Sequence, residues 1–284
     1  IGPTDGLPTD ARDQANRDLL GQQVEEIQNE HPELEDEIAS LQDRITALEE
    51  SGDHQNVVHY DDPVSGGYST TTPTQEYLDL QTELEELKTM QALVDLDERI
   101  EGQAETGQEY FLLGYDTEDD GGAIVAVGNP DTADNTAVYV PGTFSTLDNF
   151  TDEGGALSRA EAMAYDAARW GAGEETSVIA WLDYDAPQSA SPTEELPPEA
   201  FWAGAAEEGA GTLNGFIDGL DATHHGGPSG STTLVGHSYG TRVVGEAAQD
   251  PNTGVDQIIA VASPGLGVED VNGLAIDSDE VWAT

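Results

Sequence analysis

The stretch Thr232-Thr233-Leu234-Val235-Gly236-His237-Ser238-Tyr239-Gly240 decides the fold of this chain. An apolar, β-branched run ends at Gly236, and a helix-compatible segment, Tyr239–Ala248, follows directly. A serine between two glycines at a strand-to-helix turn is typical of a nucleophile elbow, which lifts the hydroxyl above the sheet. Gly236 and Gly240 are expected there because side chains would collide with the neighbouring strand and helix. The alternative is a glycine-rich turn with an incidental serine at Ser238.

From residue 106 onward, short apolar runs alternate with helix-compatible segments. This alternation predicts an α/β fold, a mostly parallel sheet flanked by helices and joined by right-handed crossovers. The predicted strands are Tyr110–Tyr115, Ala123–Val127, Ala137–Val140, Ser177–Leu182, Thr232–Val235 and Gln257–Ala262, with Glu280–Ala283 opening one more. The predicted helices are Ser158–Trp170, Pro198–Leu220, Tyr239–Ala248 and Val268–Ala275.

The acidic residues 116–121 resemble the start of a calcium loop. A loop of that kind needs a glutamate at its last position, which is Val127 here. We therefore predict a charged hairpin turn between the first two strands, and neither a metal site nor a cofactor.

Residues 1–105 have a helical periodicity instead. Apolar residues between positions 34 and 48 alternate steps of four and three, which is a heptad seam; they are Leu34, Ile38, Leu41, Ile45 and Leu48. His31-Pro32 interrupts an earlier helix, residues 51–73 are predicted as a loop, and a second helical stretch runs to Ile100. We predict an acidic helical hairpin, small bundle or coiled-coil-like region over 1–105, before an α/β domain over 106–284. Residues 10–100 would serve packing, self-association or a protein partner.

The charge balance excludes several classes of protein. The chain has 58 acidic and 8 basic residues and a formal net charge of −50. Nucleic acids and anionic lipid both require a cationic surface. No apolar run approaches the roughly 20 residues of a membrane span, and the lack of cysteine excludes disulfides and a cysteine nucleophile.

So acidic a surface favours adaptation to high salt, because salt screens repulsion between like charges. The alternative is an acidic secreted protein from an ordinary medium. A secreted or cell-surface location is favoured over a high-salt cytoplasm.

Several motifs occur together in one order along the second domain. They are Val127–Asp134, Val140-Pro141-Gly142-Thr143, Ala180–Pro187, Gly236–Gly240 and Ala262-Ser263-Pro264-Gly265. In order and spacing they resemble an actinobacterial α/β-hydrolase family formerly called DUF1023, over about residues 108–284. The resemblance implies an α/β-hydrolase fold and a Ser-His-Asp hydrolase whose substrate class is poorly defined.

An oxyanion hole requires two backbone N–H donors. One is expected from Tyr239, which follows the proposed nucleophile, and the other from the loop after an earlier strand. That loop contains Gly142, which allows close approach of the backbone, and Thr143 or Phe144 would supply the donor. The alternative is a simple Pro-Gly turn.

The catalytic base is the problem for this interpretation, because no histidine follows Ser238. His237 is expected to point away from the reaction face, and His224 and His225 precede the strand at its opposite end. In the resembling family the acid and the histidine follow one further strand. Two explanations stay open, a fragment whose remaining part holds the pair or a complete chain without the ordinary triad, and we favour the fragment.

These features predict a serine hydrolase that acts on an ester or related acyl bond of a small-molecule or acyl substrate. Residues 187–201 are expected to form a lid or an acidic rim that disfavours anionic substrates. The expected pocket residues, some of which could equally be core, are Phe144, Leu147, Phe150, Trp181, Tyr184 and Pro187. The alternative function is a non-catalytic hydrolase-like module in a surface or secretion-related assembly, docked by its N-terminal helices.

Overall fold

The computed structural model describes residues 5–60, 68–102, 104, 107–171, 173–188, 203–224 and 230–284. The chain divides into two compact units. Residues 1–22 and 95–284 form the first, which we call the sheet unit, and residues 23–94 form the second, the helical unit. The domain boundary predicted at 105/106 stays a prediction. The two compact units divide the chain instead between residues 22 and 23 and between residues 94 and 95.

Three helices account for most of residues 9–100. They are α1 (Thr9–Glu30), α2 (Leu34–Ser51) and α3 (Gln75–Ile100). The predicted break at His31-Pro32 falls between α1 and α2. On α2, the seam residues Leu34, Leu41 and Ile45 are buried, as an inward-facing stripe requires.

The prediction that residues 51–73 form only a loop is wrong. The strands β1 (Gln55–Tyr60) and β2 (Tyr68–Pro73) pair antiparallel, with Val57 opposite Thr71 and Val58 opposite Thr70. Threonine is common in loops, but it is β-branched and packs well on a pleated surface beside valine.

A seven-stranded sheet forms the centre of the sheet unit. In chain order its strands are β3 (Tyr110–Asp116), β4 (Gly122–Val127), β5 (Asn135–Val140), β6 (Thr176–Leu182), β7 (Thr232–His237), β8 (Gln257–Val261) and β9 (Val281–Ala283). Their spatial order is β3-β4-β6-β5-β7-β8-β9. The pairs that β4 makes with β3 and β6 are antiparallel, and every other pair is parallel. The predicted mostly parallel sheet is confirmed, as is the hairpin turn after β3.

Helices α4 (Ala156–Trp170), α5 (Ala203–Thr223) and α6 (Gly240–Ala247) connect the parallel strands. Apolar side chains of α5 and α6 share one buried cluster with those of the central strands. The predicted helix Val268–Ala275 is wrong, because only a short 3-10 turn forms at Val271–Gly273. The Asp270 side chain accepts the Asn272 N–H there, and an Asn-Gly pair favours a turn over a continuing helix.

Side chains from the first turns of α1 form hydrogen bonds with the backbone of the edge strand β3. The register of β3 shifts between Leu112 and Gly114. The Asp13 carboxylate accepts the Leu112 N–H at 2.7 Å, and the Asn16 amide donates to the Leu112 carbonyl at 2.9 Å. The buried Arg12 guanidinium donates to the next carbonyl, that of Leu113. Side chains of α1 thus satisfy backbone groups that a bulged edge would leave unpaired.

Among the helices described, none is both long and apolar enough to cross a membrane.

Candidate active site

The strand β7 and the helix α6 meet at Ser238, in the strand–turn–helix arrangement that the sequence predicts. Ser238 has a φ of 51°, in the left-handed region that only glycine adopts readily. Its backbone N–H donates to the Val261 carbonyl at the end of β8, at 2.9 Å. A serine is therefore held in a strained turn at the carboxyl end of a central parallel strand.

The two flanking glycines allow this turn to pack. A Cβ at Gly240 would lie 2.2 Å from the Val140 carbonyl oxygen and 2.4 Å from that of Pro141. A Cβ at Gly236 would lie 2.7 Å from the Thr241 Cα. Real Cβ atoms do not come so close to backbone, so neither position accepts a side chain without displacement of its neighbours.

A chain of hydroxyl groups supports the turn from behind. The buried Thr241 hydroxyl donates to the Ser238 carbonyl at 2.7 Å. The Ser263 hydroxyl donates to the Thr241 oxygen at 2.8 Å, and the Gly265 N–H donates to Ser263 Oγ. The segment after β8 therefore fixes the backbone that carries Ser238.

The loop after β5 lies directly against this turn. A Cβ at Gly142 would lie 2.8 Å from Ser238 Cβ and 3.1 Å from the Tyr239 backbone nitrogen. The Tyr184 hydroxyl donates to the Pro141 carbonyl at 2.7 Å and anchors the loop. The backbone of residues 142 and 143 is thus brought beside the N-terminus of α6.

The two predicted donors of this loop differ in their bonding. The Phe144 N–H donates to the Pro187 carbonyl at 3.0 Å. The described residues offer the Thr143 N–H no such backbone acceptor. Of the two, Thr143 is the better candidate for a donor to a substrate oxygen.

Backbone strain concentrates at the same edge of the sheet. Phe144, Ser238 and Ala262 are non-glycine residues with φ values of 66°, 51° and 50°. They follow β5, β7 and β8, which are neighbours in the sheet. Strain of this kind is common at sites whose geometry is imposed by function.

A cavity of about 290 Å³ opens at Ser238. Its wall includes Gly142, Thr143 and Phe144 from the loop after β5, Asp152 and Glu153 from the turn before α4, and Arg159 from the first turn of that helix. His237 lines it as well, although we expected that side chain to face away from the reaction face. Burial, and then the positive charge of Arg159, lower the pKa of His237 below its usual range.

None of the described histidines is hydrogen-bonded to Ser238. His224 precedes β7, and its Nε2 lies 2.9 Å from the Ala133 carbonyl oxygen. His31 pairs with Glu37 in the helical unit. His225 lies outside the described residues.

The predicted pocket residues divide between wall and core. Phe144 is 51% exposed and lines the cavity. Leu147, Phe150 and Trp181 are buried in the core, and Tyr184 stacks against Trp181 at a centroid distance of 6.1 Å. The predicted lid lies almost wholly outside the described residues.

A second cavity, of about 370 Å³, is lined by acidic side chains that include Asp116, Asp183, Asp185 and Glu208. Burial, followed by the charges of Asp116 and Asp5, raises the pKa of Asp183 to about 6. No group of three or more carboxylates or histidines in the described part of the chain is arranged to hold a metal ion.

Sequence reasoning missed two residues of the Ser238 environment. Arg159 gave no signal beyond being one of 8 basic side chains, and Thr241 gave none beyond its place after the elbow. The only feature that distinguished Arg159 in the sequence was its positive charge in so acidic a chain.

Comparisons with known proteins agree with this architecture. Residues 116–284 match the profile of a family described as Alpha/beta hydrolase. Uncharacterized protein Rv2079 of Mycobacterium tuberculosis is 33% identical over 180 residues, which cover 60% of this chain and 25% of that protein. Uncharacterized protein Rv0963c of the same organism is 29% identical over 159 residues, covering 55% and 56%. The chain therefore spans about a quarter of the first relative's length and just over half of the second's.

Two solved structures are similar at low identity. Naproxen esterase (carboxylesterase NP) from Bacillus subtilis aligns with a TM-score of 0.35 and 13% identity, over 63% of this chain and 50% of that one. A lipase-esterase related protein from Clostridium acetobutylicum aligns with a TM-score of 0.29 and 19% identity, over 50% and 46%. The assignment rests instead on the profile match, which covers more than half of the chain. The chain belongs to the alpha/beta hydrolase family.

Proposed function

We propose that the protein is a serine hydrolase that cleaves an ester or related acyl bond, with Ser238 as the nucleophile. The observation that carries the proposal is the strained, left-handed backbone of Ser238 at the mouth of a cavity. A turn of this kind costs about 1–3 kcal/mol, which the surrounding packing must offset. Neither the sheet nor the helix requires that strain, whereas a projecting hydroxyl does.

The proposed reaction proceeds through an acyl-enzyme. Ser238 Oγ attacks the acyl carbon while its proton passes to a base, and the alcohol leaves with a proton. The N–H groups of Tyr239 and Thr143 stabilise the negative oxygen of the tetrahedral intermediate. Water then attacks the acyl carbon and releases the carboxylic acid and the free hydroxyl.

The proposal assigns the base to no described histidine. The ring of His224, which precedes β7, is hydrogen-bonded to the Ala133 carbonyl. The ring of His237 has no described hydrogen bond to Ser238. The roles proposed here are therefore those of Ser238, Tyr239 and Thr143.

The test is covalent labelling of the full-length protein by a fluorophosphonate probe, with the modified residue mapped by mass spectrometry. We expect label on Ser238 and none in Ser238→Ala. Ser145, which lines the same cavity, provides the matched control, and Ser145→Ala should label normally. Label on Ser145, or no label at all, would contradict the proposal and favour a non-catalytic module docked by residues 10–100.

We further infer that the acidic surface adapts the protein to high salt. Its support is the net charge of −50 on 284 residues, which disfavours a compact state unless the repulsion is screened.

A further inference from the structure

Most described basic side chains of this acidic chain already have partners. Four arginines form ion pairs with carboxylates: Arg12 with Asp5, Arg17 with Asp13, Arg99 with Glu161 and Arg242 with Glu246. Arg169 lies over the ring of Trp170, 5.1 Å from its centroid. Among 58 acidic side chains, such pairing is the ordinary fate of a cation.

Arg159 differs because it forms no ion pair with any described residue, although Asp152 and Glu153 line the same cavity. Its Nε donates to the Gly154 carbonyl at 2.8 Å, and the described residues provide no acceptor for its Nη groups. Arg44 and Lys88 also form no ion pair with a described residue, but neither lines the cavity at Ser238. Arg159 therefore presents free donors beside the proposed nucleophile.

The loop before α4, which accepts the hydrogen bond from Arg159, is compact. A Cβ at Gly155 would lie 2.2 Å from the Asn149 carbonyl oxygen, so the loop closes on itself at that point. The Asn149 amide donates to the Phe144 carbonyl at 2.7 Å and ties the loop to the segment that contains Thr143. The bond from Arg159 Nε to Gly154 then fixes one edge of the guanidinium and leaves the other edge for a ligand.

The positive charge of Arg159 reaches both strands that flank the cavity. On β7, burial first and Arg159 second lower the pKa of His237. On β5, burial raises the pKa of Tyr139 to about 12, and Arg159 opposes that rise. Arg159 is thus the one cation among the described residues that line the cavity, and its charge acts on side chains of both strands.

We propose that Arg159 is a specificity-determining residue that binds a carboxylate carried by the substrate, so that preferred substrates are esters with a singly charged anionic group. The inference rests on the proposed function of Ser238, and for a singly charged group it departs from the expectation that an acidic rim disfavours anionic substrates. A guanidinium donates two parallel hydrogen bonds to a carboxylate, and its single charge matches a monoanion. A doubly charged phosphate would face Asp152, Glu153 and the net negative charge of the protein with only one cation to offset them.

The test is binding to the full-length Ser238→Ala protein, which needs no turnover. Three methyl esters of similar length are titrated by calorimetry at the lowest salt that keeps the protein folded: monomethyl glutarate, neutral dimethyl glutarate and a doubly charged phosphonate analogue. Because Arg159 is exposed, we expect monomethyl glutarate to bind about three- to tenfold tighter than the dimethyl ester. Arg159→Gln should abolish this difference, and Arg159→Lys should retain part of it. Arg169→Gln, on the exposed end of the same helix, should leave it unchanged.

Equal binding of the two glutarates, binding of neither, or an unchanged preference in Arg159→Gln would overturn the inference. Tighter binding of the phosphonate would overturn the choice of a monoanion. Because labelling by the probe tests the nucleophile without any charged ester, failure of this inference is distinguishable from failure of the proposed function.

Discussion

The sheet unit and the helical unit differ in how strictly their folds depend on single residues. In the sheet unit, single glycines decide whether backbone segments can meet, since an added Cβ at Gly230, Gly240 or Gly245 would lie 1.9–2.2 Å from a carbonyl oxygen. In the helical unit, Gly52 has no atom within 4 Å of such a Cβ, and only its φ of 79° limits substitution. The sheet unit depends on exact backbone contacts, and the helical unit depends on the spacing of its apolar residues.

Substitution of Gly240 by alanine should give the largest effect and break the sheet unit at the elbow. The new Cβ would overlap the carbonyls of Val140, the last residue of the neighbouring strand β5, and of Pro141 directly after it, and the sheet keeps this segment from moving independently. We expect a loss of about 4 kcal/mol or more in the free energy of unfolding, measured by urea denaturation.

The matched control is Gly211→Ala on α5, where an added Cβ meets nothing within 4 Å. There alanine should stabilise by about 0.5–1 kcal/mol, because it favours helix over the unfolded chain. Similar losses in both variants would mean that the close contacts at Gly240 do not determine the fold.

Substitution of Leu41 by alanine tests whether the helical unit unfolds by itself. Leu41 is buried in the seam of α2, and its truncation should cost the helical unit about 2–4 kcal/mol. All four tryptophans lie in residues 95–284, so their fluorescence reports on the sheet unit. Far-ultraviolet circular dichroism reports on the helices of both units, so we expect part of its signal to be lost at a lower temperature while the fluorescence transition stays in place.

The converse variant is Leu234→Ala, which removes a fully buried side chain of β7 and should shift the fluorescence transition. If Leu41→Ala moves both signals together, the two units unfold as one, and the comparison between them fails as a statement about stability.

The extent of prediction from sequence follows from the same contrast. Buried strands such as Ala123–Val127 and the seam on α2 are recorded in local periodicity, so their positions were predictable. The hydrogen bonds that Arg12, Asp13 and Asn16 form with the backbone of β3 join residues about a hundred positions apart. No local sequence pattern predicts them.

The site was predictable only in part, for the same reason. The Ser238 turn is a local motif, and its glycines carry the signal. Arg159 and the Thr241–Ser263 hydroxyl pair become visible only when separate loops meet in space. No α-helix forms at 268–275, because Asn272-Gly273 favours a turn over the helix that the apolar spacing predicts.

The smallest effect we expect is a difference in the salt response of the two units. The first turn of α2 alone carries Glu35, Asp36 and Glu37, and the helical unit contains only Arg44 and Lys88 as basic residues. Raising NaCl from 0.1 to 1 M shortens the Debye length from about 10 to about 3 Å. Both units should become more stable. The helical unit, followed by the part of the circular dichroism change that the fluorescence does not share, should gain about 1 kcal/mol more than the sheet unit.

Salt also strengthens apolar burial, so a charge variant is needed to separate the two causes. Glu83 and Glu86 are exposed on α3, three residues apart on one face, and repel each other there. Replacing both with glutamine should stabilise the helical unit at low salt and flatten its salt dependence, whereas a general effect on burial would leave the slope unchanged. An unchanged slope, or stability that falls with salt in the parent protein, would contradict the high-salt adaptation inferred from the charge.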